Sequence, residues 1–223
     1  MERPLAQPDD FAGLPRIGTD EAGKGDYFGD LVVAGVFLDA VGEQRARALG
    51  VKDSKKLSDA RARALAREIQ QAFPHNIVRI SPAKYNELYA KMGNLNHLLA
   101  WAHARVIENL LSRTGAILVI SDQFGNAQVL ENALMREGQS VRLVQLTQGE
   151  RDLAVAAASV LARAAFLIHL AALTKEAGIP LPKGATHVLP AGREVYRKGG
   201  LELLGRVAKL HFRTTDEIVK TAG

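Results

Sequence analysis

Two adjacent carboxylates followed by a run of glycines constrain this chain more than any other feature. They lie in Ile17-Gly18-Thr19-Asp20-Glu21-Ala22-Gly23-Lys24-Gly25-Asp26-Tyr27-Phe28-Gly29-Asp30. The apolar run Leu31 to Leu38 follows at once and, bounded by turn residues, reads as a buried strand. Ile17 to Thr19 reads as the end of an earlier strand, with Gly23 to Gly29 as the turn between them. Asp20 and Glu21 therefore sit where a strand meets a tight turn. Side-by-side carboxylates repel, and both stay ionised only where water, a cation or a basic group offsets the repulsion. Oxygen donors of this kind suit Mg²⁺ or Mn²⁺.

Two other readings compete with a metal-dependent phosphodiester site. Gly18-x4-Gly23-Lys24 nearly fits a nucleotide-binding P-loop, but Gly25 stands where a Ser or Thr hydroxyl would meet Mg²⁺, and two acids occupy the space for phosphates. The plainer alternative is an acidic turn joining two strands. The rest of the chain argues against it.

With 223 residues, the chain allows one large domain, or a domain with a small appendage, and a full core. The sequence contains no cysteine, which excludes disulfides and thiolate metal sites. We read no signal peptide and no apolar run long enough to span a membrane. The net charge of +5 and pI near 9.6 favour a polyanionic partner. The histidines show no tight ligand spacing, and His97 and His103 are read as ordinary helix residues.

Residues 1–14 are expected to form a loosely ordered lead and residues 15–223 a single α/β domain, with one central mixed sheet flanked by helices and a helical C-terminal part. After the first strand–turn–strand unit, helices are expected over Glu43–Leu49 and Ala60–Phe73, the latter capped by Ser58 or Asp59. A strand over Ile77–Ile80 precedes helices from Pro82 to about Met92 and from Leu95 to Leu111. Ile117–Ile120 reads as a strand ending at Ser121-Asp122, and Asn126–Glu137 as a helix. Val141–Leu146 is a further strand, and Leu153–Lys175 an alanine-rich helix stopped by Gly178. Ala191–Lys198 and Leu201–His211 complete the helical part.

Strand ends are where open α/β sheets build their sites, which singles out Asp122. Glu150 lies between the last strand and the alanine-rich helix, and Asp152 competes with it; acids also favour helix starts for the macrodipole alone. Glu150 is nearer the strand end and has the longer reach. Asp152 sits where a cap of the following helix belongs. Glu150 is therefore assigned to metal and Asp152 to capping. Asp20, Glu21, Asp122 and Glu150 form a set able to hold two divalent cations, the arrangement that activates a water and stabilises a leaving oxygen in phosphodiester hydrolysis.

The chain resembles bacterial ribonuclease HIII, within the type 2 ribonuclease H group. The resemblance rests on Gly18 to Gly29, Asp53-Ser54-Lys55-Lys56-Leu57, Asn94-Leu95-Asn96-x-Leu98-Leu99-Ala100-Trp101 and Asp122-Gln123-Phe124. It continues through Ala154 to Arg163, Leu181-Pro182-Lys183-Gly184-Ala185 and Ala208-Lys209-Leu210-His211-Phe212. These blocks fall in family order over roughly residues 15–215. The resemblance implies a ribonuclease H-like fold and endonucleolytic cleavage of the RNA strand of RNA/DNA hybrids with Mg²⁺ or Mn²⁺. The products would carry 5′-phosphate and 3′-hydroxyl ends. Lysine between Gly23 and Gly25 favours HIII over HII, which usually has arginine there. HIII usually carries an N-terminal substrate-binding domain, and the short lead here implies a member without one. The family's fourth carboxylate lies in a short motif like Thr147-Gln148-Gly149-Glu150.

The resemblance also assigns Gly23, Lys24 and Gly25 to the minor groove. Glycine backbone can approach a 2′-hydroxyl closely and read it as both donor and acceptor. Ser54, Lys55, Lys56 and Lys183 are assigned to substrate phosphates. Trp101 is read as core, and Tyr27 and Phe28 either stack on a sugar or pack beneath the loop. The expectation is a monomeric, cytoplasmic enzyme with no membrane association. The rivals are a ribonuclease HII-like enzyme cleaving at single ribonucleotides in duplex DNA and a non-hydrolytic nucleic-acid-binding protein.

Overall fold

The computed structural model describes residues 8–51, 57–122, 127–134 and 141–222. Five strands form one sheet in the order β3-β2-β1-β4-β5, where β1 is Arg16–Ala22, β2 Leu31–Leu38, β3 His75–Ile80, β4 Leu118–Asp122 and β5 Arg142–Leu146. The helices are α1 Ala40–Ala48, α2 Asp59–Ala72, α3 Pro82–Met92, α4 Leu95–Leu111, α5 Ala127–Ala133, α6 Leu153–Ala177, α7 Leu189–Val207 and α8 Arg213–Ala222. The expected α/β class with a mixed sheet and a helical C-terminal region is observed.

Local chemistry sets most boundaries. The Ser58 hydroxyl accepts the Arg61 N–H at the start of α2, and Ser81 does the same for Lys84 at α3. Pro82 opens α3, and Gly93 closes it in the left-handed region at φ 65°. In β2 every residue but Phe37 is buried, as a continuous apolar run demands. On α4, Leu98, Leu99, Ala102, Val106 and Leu110 are all fully buried.

The chain divides into two compact units. The first comprises the described parts of Met1–Glu21, Val33–Val78 and Asn96–Ala164. In it β1 runs parallel to β4, pairing Arg16 with Leu118 and Thr19 with Ser121, and β4 runs parallel to β5, pairing Asp122 with Leu146. Side chains alternate along β1, so its two faces meet different helices. On one face Arg16 bonds Asp152, and Gly18 lies directly against the Ala154 backbone at the start of α6. On the other, Thr19 meets His103 of α4. Pro8–Phe11 forms a 3₁₀ turn, and Phe11 is buried against Leu118, Ile120, Leu146 and Val155, so packing begins before residue 15.

The second unit comprises Ala22–Val32, Arg79–Leu95 and the described part of Ala165–Gly223. Here α7 is broken at Gly199 and Gly200, which have non-helical torsions, as the two-helix expectation required. Its second half ends at Val207 and does not reach His211. Ala208 instead bridges to Phe28, and the Asn86 side chain receives the Leu210 N–H while donating to the Ala208 carbonyl. Tertiary hydrogen bonds replace the helical ones. The final helix α8 is absent from the sequence-based expectation.

Three further expectations change. Helix α5 is shorter than Asn126–Glu137, of which residues 126 and 135–137 lie outside the described residues. Trp101 is not core: it is 38% exposed, on the outer side of α4. The helix Leu153–Ala177 is long and apolar enough to cross a membrane by length and composition, contrary to the reading that no such run exists. Most of it is buried within the protein, as in a core helix.

Candidate active site

The acids converge because three neighbouring strands end together. Extending the β1–β4 register by one residue beyond Thr19 and Ser121 sets Asp20 beside Asp122. From Leu146, which pairs with Asp122, the chain turns through Thr147 and Gln148 into the short 3₁₀ helix Gly149–Arg151. The Gly149 N–H donates to Asp122 Oδ1 at 2.9 Å. A Cβ at Gly149 would stand 2.9 Å from the Asp122 Cα, so only glycine allows this approach. Glu150 is the next residue and is half-buried. Asp20, Glu21, Asp122 and Glu150 thus belong to the ends of β1 and β4 and the turn after β5.

Crowding is visible in the protonation of Asp20. Burial pushes its pKa up to about 7, the Glu21 and Asp122 charges push the same way, and hydrogen bonds from the Ser159 side chain and the Glu21 N–H only partly oppose them. The Glu21 N–H lies 2.8 Å from Asp20 Oδ1. A cation would relieve this stress, and four carboxylates are an oxygen-only donor set suited to Mg²⁺ or Mn²⁺. Among the described residues, no group of three or more His, Asp or Glu side chains is drawn tightly enough to hold an ion. Asp20, Glu21 and Asp122 are neighbours rather than a closed shell of ligands.

Asp152 is occupied elsewhere. Its Oδ1 accepts the N–H groups of Ala154 and Val155 at 2.8 and 3.1 Å, capping α6, and its Oδ2 takes the Arg16 Nε–H at 2.6 Å. Arg16 also pairs with Glu43 at 2.9 Å.

His103, read from sequence as an ordinary helix residue, has no exposed surface. Its Nδ1 lies 3.0 Å from the Thr19 hydroxyl and its Nε2 3.4 Å from Glu21 Oε2. Ser159 likewise reads in sequence only as part of an alanine-rich helix. A polar residue within an apolar helical row is the available signal for both.

The substrate-binding candidates fall into two groups. Ser54, Lys55 and Lys56 lie outside the described residues. Gly23, Lys24, Gly25 and Lys183 belong to the second unit, where the Gly184 N–H donates to Asp26 Oδ1 at 2.6 Å and the Tyr27 N–H to the Gly184 carbonyl at 2.9 Å. The turn carrying Lys24 and the turn carrying Lys183 are thereby tied together. Gly23 has φ +85°, and a Cβ there would meet the Asp30 carbonyl at 2.0 Å. Tyr27 and Phe28 are fully buried beneath the loop, with the Tyr27 hydroxyl 3.1 Å from Thr215 Oγ1. Buried Lys209 donates to the carbonyls of Asp26 and Gly29 at 2.8 and 2.6 Å. A cavity of about 240 Å³ lined by His97, Ala100, Val129, Asn132 and Ala133 contains none of the acids.

The pattern of the ribonuclease HII family matches residues 17–215. A ribonuclease HIII of Protochlamydia amoebophila is 51% identical over 210 residues, covering 94% of this chain and 70% of the relative. A ribonuclease HIII of Chlamydia felis is 42% identical over 214 residues, covering 93% and 71%. Among solved structures, that of Bst-RNase HIII in complex with Mn²⁺ superposes with a TM-score of 0.90 at 32% identity, covering 99% of this chain and 74% of the other.

Proposed function

This chain belongs to the ribonuclease HII family as a ribonuclease HIII-like hydrolase, and we propose that it cuts the RNA strand of RNA/DNA hybrids by two-metal catalysis. The observation that supports the reading is the meeting of Asp20, Glu21 and Asp122 at the ends of neighbouring strands, with the Asp20 pKa raised to about 7 by burial and by its acidic neighbours, and with Glu150 next to Gly149, whose N–H reaches Asp122. In this reading the four carboxylates hold Mg²⁺ or Mn²⁺. When bound, such ions activate a water and stabilise the departing 3′-oxygen.

The chain's own residues supply position and charge. Asp20 and Glu21, adjacent on β1, are oriented from opposite faces. The Gly149 N–H holds Asp122 through Oδ1, which fixes the direction of this carboxylate at the end of β4. Gly23, Lys24 and Gly25 follow the two acids after Ala22 in sequence, and in this reading their backbone meets the 2′-hydroxyl of the RNA strand. Lys183, tied to that loop through Gly184 and Asp26, supplies a phosphate contact, as do Ser54, Lys55 and Lys56. The lack of cysteine fits a cytoplasmic enzyme, and we take the working unit to be a monomer. Two relatives carry the name ribonuclease HIII, which supports the HIII-type reading, a uniform hybrid, over the HII-like one, single ribonucleotides in duplex DNA.

The test is cleavage of a uniform RNA/DNA hybrid beside duplex DNA carrying one ribonucleotide, with Mg²⁺ or Mn²⁺. Asp122→Asn should abolish cleavage and leave hybrid binding largely intact, because the amide keeps the shape and loses the charge. Activity within a few-fold of the parent would remove Asp122 from the site. Cleavage of the single-ribonucleotide duplex alone would move the protein to the HII-like reading.

A further inference from the structure

We propose that His103 is a positioning residue that sets the direction of the Glu21 carboxylate for metal binding; this rests on the reading of Glu21 as a ligand. Residues 19 and 21 share one face of β1, because side chains alternate along a strand, and α4 covers that face. His103 Nδ1 lies 3.0 Å from the Thr19 hydroxyl, and Nε2 lies 3.4 Å from Glu21 Oε2. One imidazole therefore spans two residues of the strand.

Its surroundings give the ring few other options. Leu99, Val106 and Leu110, at helical spacing from His103, are fully buried, as is Thr19 itself. A polar ring sunk in such a row costs stability unless its nitrogens are used. In the tautomer in which the Thr19 hydroxyl donates to Nδ1, Nε2 carries the proton and faces the Glu21 carboxylate oxygen 3.4 Å away. The opposite tautomer would set a lone pair against a carboxylate oxygen. The hydroxyl thus orients the ring, and the ring limits the rotamers of a side chain that would otherwise lose several torsions on binding an ion. Asp20 projects from the other face and receives a hydrogen bond from Ser159 of α6. Two adjacent acids are therefore steered independently by two helices, which lets neighbours on one strand serve one site.

The test measures Mn²⁺ affinity of the full chain by calorimetry, with folding checked by thermal midpoint. His103→Leu keeps the bulk and loses the N–H; its affinity should fall about 10–100-fold. His103→Gln offers an amide N–H near the Nε2 position and should recover a large part of that loss. In a Glu21→Gln background, His103→Leu should add little further loss, because the interaction it removes is already gone. Thr19→Val, which removes the hydroxyl that orients the ring at little change in shape, should weaken Mn²⁺ several-fold and supplies the answer if His103→Leu does not fold. An unchanged affinity in His103→Leu, or an equal loss with and without Glu21, would overturn the proposal. If Glu21→Gln itself leaves Mn²⁺ affinity unchanged, Glu21 is not a ligand and both readings fall. If Glu21→Gln weakens binding but the histidine does not couple to it, only the positioning role falls.

Discussion

Asp152 and Glu150 stand two residues apart, and the proposed function gives them different roles. Asp152 is 2% exposed, caps α6 and pairs with Arg16, which is equally buried. Its loss removes a cap worth about 1 kcal/mol and also leaves a buried guanidinium short of one carboxylate. Breaking a buried pair costs about 3–5 kcal/mol. Because Arg16 keeps Glu43 and the Leu14 carbonyl, we expect Asp152→Ala to cost about 3 kcal/mol, with the cleavage rate mostly kept below its melting point. Glu150→Gln should do the reverse. Its melting temperature should barely move, while the rate falls about 100-fold or more, as removal of several kcal/mol of transition-state stabilisation requires. Melting curves and initial rates for both variants decide the matter; the opposite pattern would make Asp152 the ligand.

At the scale of elements, the segment after α7 holds the glycine loop through one buried cation. Lys209 has no exposed surface, and burial holds its pKa down to about 8, against Asp26 and Asp30, which pull it back up. In the unfolded chain the same group titrates near 10.5. Below about pH 8 both states carry the charge, and the full cost of burying it falls on the fold. Between about 8 and 10.5 the unfolded chain binds the proton and the fold does not, so stability from this group rises with pH across that window. Relative to Lys209→Met, the parent should therefore gain about 1–3 kcal/mol between about pH 7.5 and pH 10. Denaturant midpoints of both proteins at the two pH values measure it. Parallel shifts would mean that the ammonium stays charged inside the fold.

At the scale of the whole molecule, a net charge of +5 would make electrostatics the general source of affinity for the proposed nucleic-acid substrate. Most of the charged pairs with measurable exposure, such as Lys84 with Glu87, are surface pairs of small energetic value. Under the proposed function, the basic groups matter chiefly for a polyanionic partner. Replacing Lys55 and Lys56 together by Ala should weaken hybrid binding and lower the log–log salt slope by roughly 0.7–0.9 for each phosphate that is no longer neutralised. Binding titrations over a range of salt concentrations measure the slope, and an unchanged slope would leave that loop as solvated surface.

Much of this protein is local, and what is local can be read from the amino acids in order. The apolar run Leu31–Leu38, the Ser-Pro start and glycine stop of α3, and the helical spacing of α4 each announce an element within a few residues. The pair Asp20-Glu21 and the acid at the end of a strand, Asp122, announce a candidate site for the same reason: a strand terminus is a local event. Long-range partners leave no such trace. His103 meets Thr19 from 84 residues away, Arg16 meets Asp152 across 136, and Lys209 reaches Asp26 across 183. Periodicity marks α4 as a packed helix, but not that one of its buried positions faces a carboxylate. Helix propensity carries the expected end of α7 to His211, and only tertiary hydrogen bonds from Asn86 and the bridge to Phe28 take Ala208–Phe212 out of the helix. The chain order alone determined which chemistry is available, because residue types and strand ends are encoded locally. The folded structure decided which side chains hold that chemistry in place, because orientation depends on contacts between residues far apart in sequence.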